Sequence, residues 1–400
     1  MKIALQIKDI LILDCFYRKG PLANQELAAI LNLSPSTISN VLKRLASFNL
    51  IREFDSKIYI KKNRKKERNK KTYHLNPHYG YAIAIEIDYD FLNIFKLRFD
   101  LSIEYSRKVL VSENTKDAIL RQIDRELERS LEESVDEKLL GVGFGLPGKV
   151  NIEEAVSVFN TRMKDWRNVQ FDRFSKRCNH IVLENIANCK AIGERIYRQD
   201  QNIDNFLFLN IGNGVGMGIF INGSIYRGYN DAAGNAGHTM LNEESDNICI
   251  CGNKGCLESF VSNKAICNQL SKLNRNEVES EIFGDIDFGD LEKIYKVLDR
   301  HYHKGDKVAF QIINEIAHKM GLACANFFQL FAPEYIFIGG EICDLGEYFL
   351  KLILQNVQKY YLPWNQQINI VYSKNSNSVG ACGLGLLAFR AGLGIHGVHL

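Results

Sequence analysis

The chain contains no long apolar run, and nothing in it approaches the roughly 20 residues that a membrane-spanning helix needs. Its first residues also lack the charged, apolar and small-residue order of a secretory signal. A hydrophobic content of 46% excludes a disordered chain and, over 400 residues, predicts about two or three globular domains. We therefore expect a protein without a membrane partner.

Closely spaced cysteines are missing from most of the chain. Seven of the ten stand singly among apolar neighbours, namely Cys15, Cys178, Cys189, Cys267, Cys324, Cys343 and Cys382. Such usage is typical of compartments in which thiols stay reduced, and it predicts a cytoplasmic location.

Acidic residues are scarce at one end of the chain. Up to Leu75 there are 16 lysines and arginines against 6 acidic residues, and the remainder carries 34 against 41. A local excess of positive charge indicates a polyanionic partner such as nucleic acid.

Three helices are predicted within this basic end. The first ends at Gly20-Pro21 and has its apolar positions at Ile3, Ile7, Ile10, Leu11 and Phe16. The second begins after Asn24, a predicted N-cap, with apolar residues at Leu27, Ile30 and Leu31. The third has Ser34 as N-cap, Pro35 in its first position, and a buried stripe of Ile38, Val41, Leu42 and Leu45. This spacing is typical of a helix-turn-helix.

The face opposite that stripe predicts contacts with double-stranded DNA. It presents short polar groups at its start and cations behind them: Ser36, Thr37, Ser39, Asn40, Lys43 and Arg44. The early turns of a recognition helix reach base edges, while cations and hydroxyls hold phosphates. An ordinary solvated helix face is the alternative.

Two strands, 50–54 and 56–60, are predicted next, followed by a basic run and then by residues 72–75. Residues 61–71 contain eight cations and one acid, and we expect phosphate contacts from Lys61, Lys62, Arg64, Lys65 and Lys66. The pattern resembles a winged helix. A solvated charge run, or a localisation signal in a nucleated cell, is the alternative.

Beyond Asn76-Pro77 the pattern changes to that of an α/β body. Paired strands are predicted at 81–87 and 92–98, and further strands at 140–144, 180–183, 206–211, 216–221 and 335–338.

Three cysteines and one histidine form the most specific motif. Cys249, Cys251 and Cys256 lie within eight residues, and His238 precedes them. Structural zinc takes four nitrogen or sulfur ligands, which this set supplies, whereas catalytic zinc keeps one position for water. The motif predicts structural zinc. Three reduced thiols in a loop are the alternative.

Several motifs together resemble those of the ROK family, which comprises sugar kinases and sugar-responsive repressors. They follow the family's order as Leu146-Pro147-Gly148, Trp166, Glu184-Asn185, Asn213-Gly214-Val215-Gly216, Gly234 to His238, Cys249 to Glu258, and Gly339-Gly340. The resemblance covers almost the whole chain. It implies an actin-like (ribonuclease H-like) two-lobed body that binds a sugar between its lobes, with a zinc site nearby, in a homodimer or homotetramer. Repressors of the family carry a winged helix ahead of this body.

Two departures from the family's kinases argue against catalysis. The phosphate loop of those kinases is replaced by Glu86-Ile87-Asp88-Tyr89-Asp90, which adds negative charge where ATP phosphates would bind. Their catalytic aspartate corresponds to Ile186, and a hydrocarbon cannot accept a proton. We therefore predict no catalytic residues and no kinase activity.

The resemblance also implies an effector pocket made of Gly148, Asn185, Asn235, His238 and Glu258. Asn235 replaces an expected glutamate, so the effector could be a modified sugar, or no sugar at all. Support of the pocket and the zinc loop is the alternative role for Asn185 and Glu258.

These observations predict three domains. They are a winged helix-turn-helix at 1–75, a first lobe at 76–195 joined by a C-terminal helix at 383–400, and a second lobe at 196–382 with the zinc site and the oligomerisation surface. The predicted function is transcriptional repression of carbohydrate genes, with a sugar or sugar phosphate as effector. An active ATP-dependent sugar kinase with a DNA-binding arm and a metal-responsive regulator are the alternatives.

Overall fold

The computed structural model describes residues 4–54, 71–88, 90–198, 203–273, 280–362, 367–375 and 378–395. The chain divides into two compact units. The first comprises Met1–Asn185, Ile192–Asn202 and Val379–Leu400, and the second comprises Ile186–Ala191 and Ile203–Ser378. Among the described residues, no helix combines the length and the apolar character that crossing a membrane requires.

The first unit begins with three helices and a small sheet. The helices are α1 (Ile7–Lys19), α2 (Asn24–Leu31) and α3 (Pro35–Ser47). The antiparallel sheet has the order β1-β3-β2 and is formed by β1 (Leu22–Ala23), β2 (Ile51–Phe54) and β3 (Thr72–Leu75). The predicted cap of α3 is confirmed, because the Thr37 N–H donates to Ser34 Oγ. Its predicted stripe is also confirmed, with exposures of 3% or less.

The predicted apolar positions of α1 are only partly buried. Phe16 is buried as predicted, but Ile7 is 77% exposed and Leu11 is 42% exposed, whereas Ile12 and Leu13, which were not predicted, are buried. Residues 10–13 are apolar on every side of the helix, so their spacing alone does not determine which face is buried. Packing against α3 and against the rest of the first unit determines it.

The start of α2 also differs from the prediction by one residue. Ala23 is the N-cap, and Asn24 is the first helical residue. The Ala23 N–H donates to Glu26 Oε2 at 2.7 Å, so a glutamate in the first turn satisfies the end of the helix.

The body part of the first unit is built on a five-stranded sheet with the order β11-β7-β4-β5-β6. Its strands are β4 (Tyr81–Ile87), β5 (Phe91–Arg98), β6 (Ile103–Leu110), β7 (Leu139–Leu146) and β11 (Ile181–Asn185). Helix α4 (Lys116–Glu132) contributes to its core, and α12 (Val379–Gly392) packs on β4 and β7. A smaller antiparallel sheet contains β8 (Lys149–Asn151), β9 (Val156–Phe159) and β10 (Arg167–Gln170).

The second unit repeats this strand order. Its sheet has the order β14-β13-β12-β15-β16, built from β12 (Phe206–Ile211), β13 (Val215–Ile221), β14 (Ser224–Ile225), β15 (Tyr335–Gly339) and β16 (Ile370–Tyr372). In both sheets an antiparallel three-stranded meander is extended by two parallel strands. The remaining helices are α5 (Ile186–Tyr197), α6 (Glu258–Val261), α7 (Asn263–Lys272), α8 (Ile282–Asp285), α9 (Ile294–His303), α10 (Lys307–Phe331) and α11 (Glu347–Tyr360). The boundary between the units passes through α5.

The predicted α/β body is confirmed, and each of the seven strands predicted for it is present with ends that shift by at most a few residues. The predicted strand at 56–60 and the basic run with Lys61, Lys62, Arg64, Lys65 and Lys66 lie outside the described residues. The C-terminal helix belongs to the first unit, and it begins four residues before the predicted position 383.

Candidate functional site

The second unit brings together the four predicted metal ligands. One ligand atom from each of His238, Cys249, Cys251 and Cys256 lies within 4.8 Å of the others. His238 Nδ1 is 3.5 Å from Cys249 Sγ, and Cys251 Sγ is 3.7 Å from Cys256 Sγ. The sequence alone therefore identified a set that the fold assembles.

These two distances match the edges of a zinc tetrahedron. With Zn–S bonds of about 2.3 Å and Zn–N bonds of about 2.0–2.1 Å, tetrahedral ligands lie about 3.8 Å (S to S) and about 3.6 Å (S to N) apart. The donor set thus fits a closed, four-coordinate zinc ion. Because Nδ1 of His238 faces the thiols, its Nε2 is the nitrogen that could contact another group.

Short backbone hydrogen bonds fold the zinc loop, which we define as residues 239–257. The Cys249 N–H donates to Asn253 O at 2.8 Å, and the Gly252 N–H donates back to Cys249 O at 2.9 Å. Gly252 has φ +92° and Gly255 has φ +65°, which favour glycine. A Cβ at Gly255 would lie 1.7 Å from a backbone oxygen, so a side chain there would open the loop.

Burial favours the protonated form of two of the three thiols. Burial, with the nearby Cys249 thiol, raises the pKa of Cys256 to about 12, and burial also raises the pKa of Cys249. Burial acts in the same direction on Cys251, but hydrogen bonds from the Asn253 backbone and from the other thiols outweigh it and lower its pKa. Metal ligation requires thiolates, so a soft divalent cation supplies the charge that the three need.

Three of the five predicted effector residues lie in the second unit. Glu258 follows the zinc loop as the first residue of α6, is 6% exposed, and accepts a 2.9 Å hydrogen bond from the Val215 N–H at the start of β13. His238 ends a short 3-10 helix. Asn235 is exposed and donates to Ala232 O at 2.9 Å. Glu258 therefore ties the zinc loop to the Asn213–Val215 turn.

The other two predicted effector residues meet in the first unit. Asn185 ends β11, and its Nδ2 donates to Gly148 O at 2.9 Å. Gly148 has φ +82°, and a Cβ there would lie 2.3 Å from Phe159 O, so only glycine fits. The Asn185 N–H donates to Oε1 of the buried Glu184, a residue to which sequence reasoning gave no separate role.

The two segments in which the sequence departs from the family's kinases lie at the start of α5 and between β4 and β5. Ile186 is the first residue of α5 and offers only an aliphatic side chain. The turn between β4 and β5 contains Asp88, whose N–H donates to Phe91 O at 2.9 Å, and Asp90. Ile186 therefore offers no proton acceptor at its own position, and Asp88 and Asp90 offer carboxylates in place of a glycine-rich backbone.

The polar face of α3 is present as predicted for most of its residues. Ser36, Asn40 and Lys43 are exposed, and Thr37 and Ser39 are half-buried. Ser34 Oγ lies 3.0 Å from Ser36 Oγ and 2.8 Å from Thr37 Oγ1, so the first hydroxyls form a local cluster at the helix start.

Arg44 makes an intramolecular contact that sequence reasoning missed. Its Nε and Nη2 donate to Asp9 Oδ1 at 3.0 and 2.7 Å, and Asp9 Oδ2 accepts from the Gln6 N–H at 2.7 Å. Asp9 is fully buried. An available signal was the position of Asp9, three and four residues before the buried Ile12 and Leu13, because a buried acid needs a cationic partner.

A second contact missed by sequence reasoning joins α1 to the body of the first unit. The ring centroids of Tyr17 and Phe99 are 5.8 Å apart, and those of Phe99 and Phe389 of α12 are 5.3 Å apart, both pairs packing edge to face. Asp14 Oδ2 lies 3.8 Å from Arg390 Nη2. Burial raises the pKa of Asp14 to about 6 although Arg390 and Arg18 lower it. No sequence pattern links residues this far apart.

The sequence of this chain is similar to those of two protein families. Residues 82–391 match the ROK family, and residues 5–57 match the MarR family. The xylose repressor of Caldicellulosiruptor bescii is 27% identical over 377 residues, which cover 92% of each chain. A glucokinase of Halalkalibacterium halodurans is 31% identical over 230 residues, 56% of this chain and 68% of the enzyme.

Solved structures give the same fold. The crystal structure of a ROK family transcriptional regulator, a homologue of the E. coli MLC protein, superposes with a TM-score of 0.75 at 22% identity and covers 96% of this chain and 98% of its own. At this identity the likeness concerns the fold alone. The predicted fold class, a winged helix-turn-helix followed by an actin-like body of the sugar-kinase type, is confirmed.

Proposed function

Because this chain belongs to the ROK family and carries a MarR-type winged helix ahead of the ROK body, we propose that it is a DNA-binding repressor of sugar-metabolism genes. The observation that carries this conclusion is the joint match of both parts to a named xylose repressor over 92% of each chain. The exposed polar face of α3 supplies the chemistry that base edges and phosphates recognise.

We propose that the body acts as a receptor for a sugar or sugar phosphate. The proposed contacts are Gly148, Asn185, Asn235, His238 and Glu258. A ligand that binds one state of the body better than the other would shift operator affinity, and about 1–3 kcal/mol of coupling gives a several-fold to hundredfold change. In a homodimer or homotetramer, paired recognition helices would read half-sites about 34–36 Å apart.

We propose that zinc has a structural role in this receptor. A closed set of three thiolates and one imidazole supports that role, since all four coordination positions are filled. If zinc were instead the regulatory signal, operator affinity of the metal-loaded protein would follow added zinc. We expect affinity to be indifferent to added zinc and the bound metal to survive dialysis.

Sugar phosphorylation is the second candidate function, and the likeness to glucokinases favours it. Ile186 opposes it, because loss of a general base typically lowers a rate by roughly 10² to 10⁴. A coupled ATPase assay with a panel of hexoses and pentoses separates the two. Sugar-dependent turnover above trace level would favour the kinase; we expect none.

The DNA assignment is tested with genomic duplex fragments and two sets of variants. Replacing Lys61, Lys62, Arg64, Lys65 and Lys66 with alanine should weaken binding to all sequences and flatten its salt dependence. Ser39→Ala and Asn40→Ala should instead change sequence preference. Equal behaviour of both sets would contradict the division into backbone and base contacts, and a wild-type protein that ignores all genomic fragments at low salt would refute the proposal.

A further inference from the structure

The first unit contains an open cavity with a strongly cationic lining. Its volume is about 730 Å³, and it is formed by the first turns of α4, strand β10 and the 3-10 helix Asp172–Lys176. The cationic lining residues are Lys116, Arg167, Arg173, Lys176 and Arg177, against the acids Asp117 and Asp124. No residue of the zinc loop, of α3 or of the proposed effector set lines it.

A single acid orients two of the arginines. Asp124 Oδ2 lies 3.3 Å from Arg173 Nη2, and Asp124 Oδ1 lies 3.6 Å from Arg177 Nε. Arg177 Nη1 also lies 3.3 Å from Glu128 Oε1. A guanidinium has five N–H donors, so both arginines retain donors beyond those used in these pairs.

The other three cations lack an acidic partner. Over the parts of the chain that the structure describes, Lys116, Arg167 and Lys176 form no ion pair. Arg167 is held over the Phe159 ring at 4.7 Å, which fixes its direction without neutralising its charge. Lys116 is the first residue of the 17-residue α4, where the helix dipole adds positive potential.

The uncharged lining indicates what else a ligand carries. Leu120 and Val169 are buried apolar residues, 5% and 4% exposed, that can pack against a carbon skeleton. Asn168 and Gln170 offer amide donors and acceptors of the kind that bind hydroxyl groups. Asn168 has φ +45°, an uncommon conformation for a residue other than glycine.

We propose that this cavity binds a phosphorylated, hydroxyl-bearing small molecule at a site separate from the effector residues. The volume falls within the roughly 300–1,000 Å³ of small-molecule sites. An arginine guanidinium can donate two parallel hydrogen bonds to phosphate oxygens, and a lysine ammonium adds a compact positive charge. The site depends on neither the DNA-binding nor the sugar-sensing proposal, because it uses none of their residues.

Isothermal titration of the full chain with glycerol 3-phosphate and with pyrophosphate tests the site, and glycerol and sodium chloride of matched ionic strength serve as controls. We expect saturable binding of one phosphate compound per chain. The triple variant Lys116→Gln/Arg167→Gln/Lys176→Gln should weaken it at least about tenfold, because charge-assisted hydrogen bonds are lost. A triple with the same net charge, Lys272→Gln/Lys307→Gln/Lys351→Gln, changes exposed cations outside the elements that form the cavity and should retain wild-type affinity.

Three results would overturn the proposal. The first is no saturable binding of either phosphate compound by the wild type, and the second is equal weakening of binding in both triple variants. The third is a Lys116/Arg167/Lys176 variant (the cavity triple) that loses affinity for random-sequence duplex DNA while still binding pyrophosphate. The last result would assign the cations to nucleic acid. If the cavity triple fails to fold, Lys116→Gln and Lys176→Gln alone should each weaken binding about threefold. Unchanged operator affinity of these variants would keep this test distinct from that of the repressor.

Discussion

The winged helix and the zinc site differ in how deeply some of their functional groups are buried. On α3, Ser36, Asn40 and Lys43 face solvent, whereas in the second unit Cys249 and Cys256 are buried beside the buried Glu258. Exposed charges are screened by salt and act almost independently, while buried polar groups depend on one another. Substitutions should therefore have small, additive effects on the α3 face and large, cooperative ones around the zinc loop.

The largest effect should follow Cys256→Ser. Structural zinc contributes about 10–16 kcal/mol in peptide systems at neutral pH, so losing a buried thiolate should abolish tight metal binding and unfold residues 239–257 first. Metal analysis after dialysis should find less than one zinc per chain, and limited proteolysis should cut within this loop.

Cys343→Ala is the matched control for that experiment. Cys343 lies in the same unit but outside the ligand set, so this variant should keep its zinc and its protease resistance. If Cys256→Ser kept stoichiometric zinc, or if both variants lost stability equally, the buried cluster would not be the cooperative element that the comparison requires.

Arg44 sharpens the comparison because it is a buried contact within the winged helix. Arg44→Ala leaves the carboxylate of Asp9, which is fully buried, without its cation. Breaking buried pairs costs about 3–5 kcal/mol, and we expect about 2–3 kcal/mol here because Arg44 is 31% exposed. Urea unfolding of Arg44→Ala against the neighbouring Lys43→Ala measures it. Equal stabilities of the two variants would show that Asp9 does not depend on Arg44.

The sequence predicted those features that a local pattern determines. The stripe and cap of α3 repeat at helical spacing, and the cysteines are close together, so one short segment fixes their arrangement. The family order of motifs predicted the fold, which is confirmed, and the effector positions, which stay a prediction. Sequence reasoning failed where contacts join distant segments, as for Asp9 with Arg44 or Asp14 with Arg390.

The same reasoning explains why the buried residues of α1 were predicted only in part. Its central residues are apolar on all sides, and the choice between Leu11 and Leu13 depends on partners that the helix itself does not encode. The cationic cavity was also missed, because α4 and β10 contribute charges that lie about 50 residues apart and look like ordinary surface residues in isolation.

A smaller effect on stability should appear where α1 contacts the body of the first unit. The Asp14 side chain in this contact is less buried than the Cys249 and Cys256 thiols and more buried than the exposed face of α3. Burial raises the pKa of Asp14 from 3.8 to about 6, so the folded state binds this proton more tightly than the unfolded chain does. The destabilisation from its ionised form therefore grows by about 2 kcal/mol between about pH 4 and pH 6 and changes little above that range. Asp14→Asn should lack this contribution.

Urea unfolding of wild type and Asp14→Asn across pH 4–7 isolates the effect, because all other groups titrate alike in both proteins. The wild type should lose about 2 kcal/mol relative to the variant as the pH rises through this window. Parallel stability curves would mean that Asp14 is solvated and that α1 does not dock on Arg390 as the structure shows.

The smallest effect should be that of Lys43→Ala. Lys43 is exposed and, within the part of the chain that the structure describes, pairs with no acid, so its removal should leave the free energy of unfolding within about 0.5 kcal/mol of wild type. If Lys43 contacts one phosphate, the slope of log affinity against log salt should fall by about 1 for each recognition helix on the operator, with no change in sequence preference. Titration of one operator fragment and one unrelated fragment at several salt concentrations measures both quantities. A change of slope on only one fragment would place Lys43 at a base edge, and a loss of stability comparable with that of Arg44→Ala would remove the distinction between exposed and buried groups on this helix.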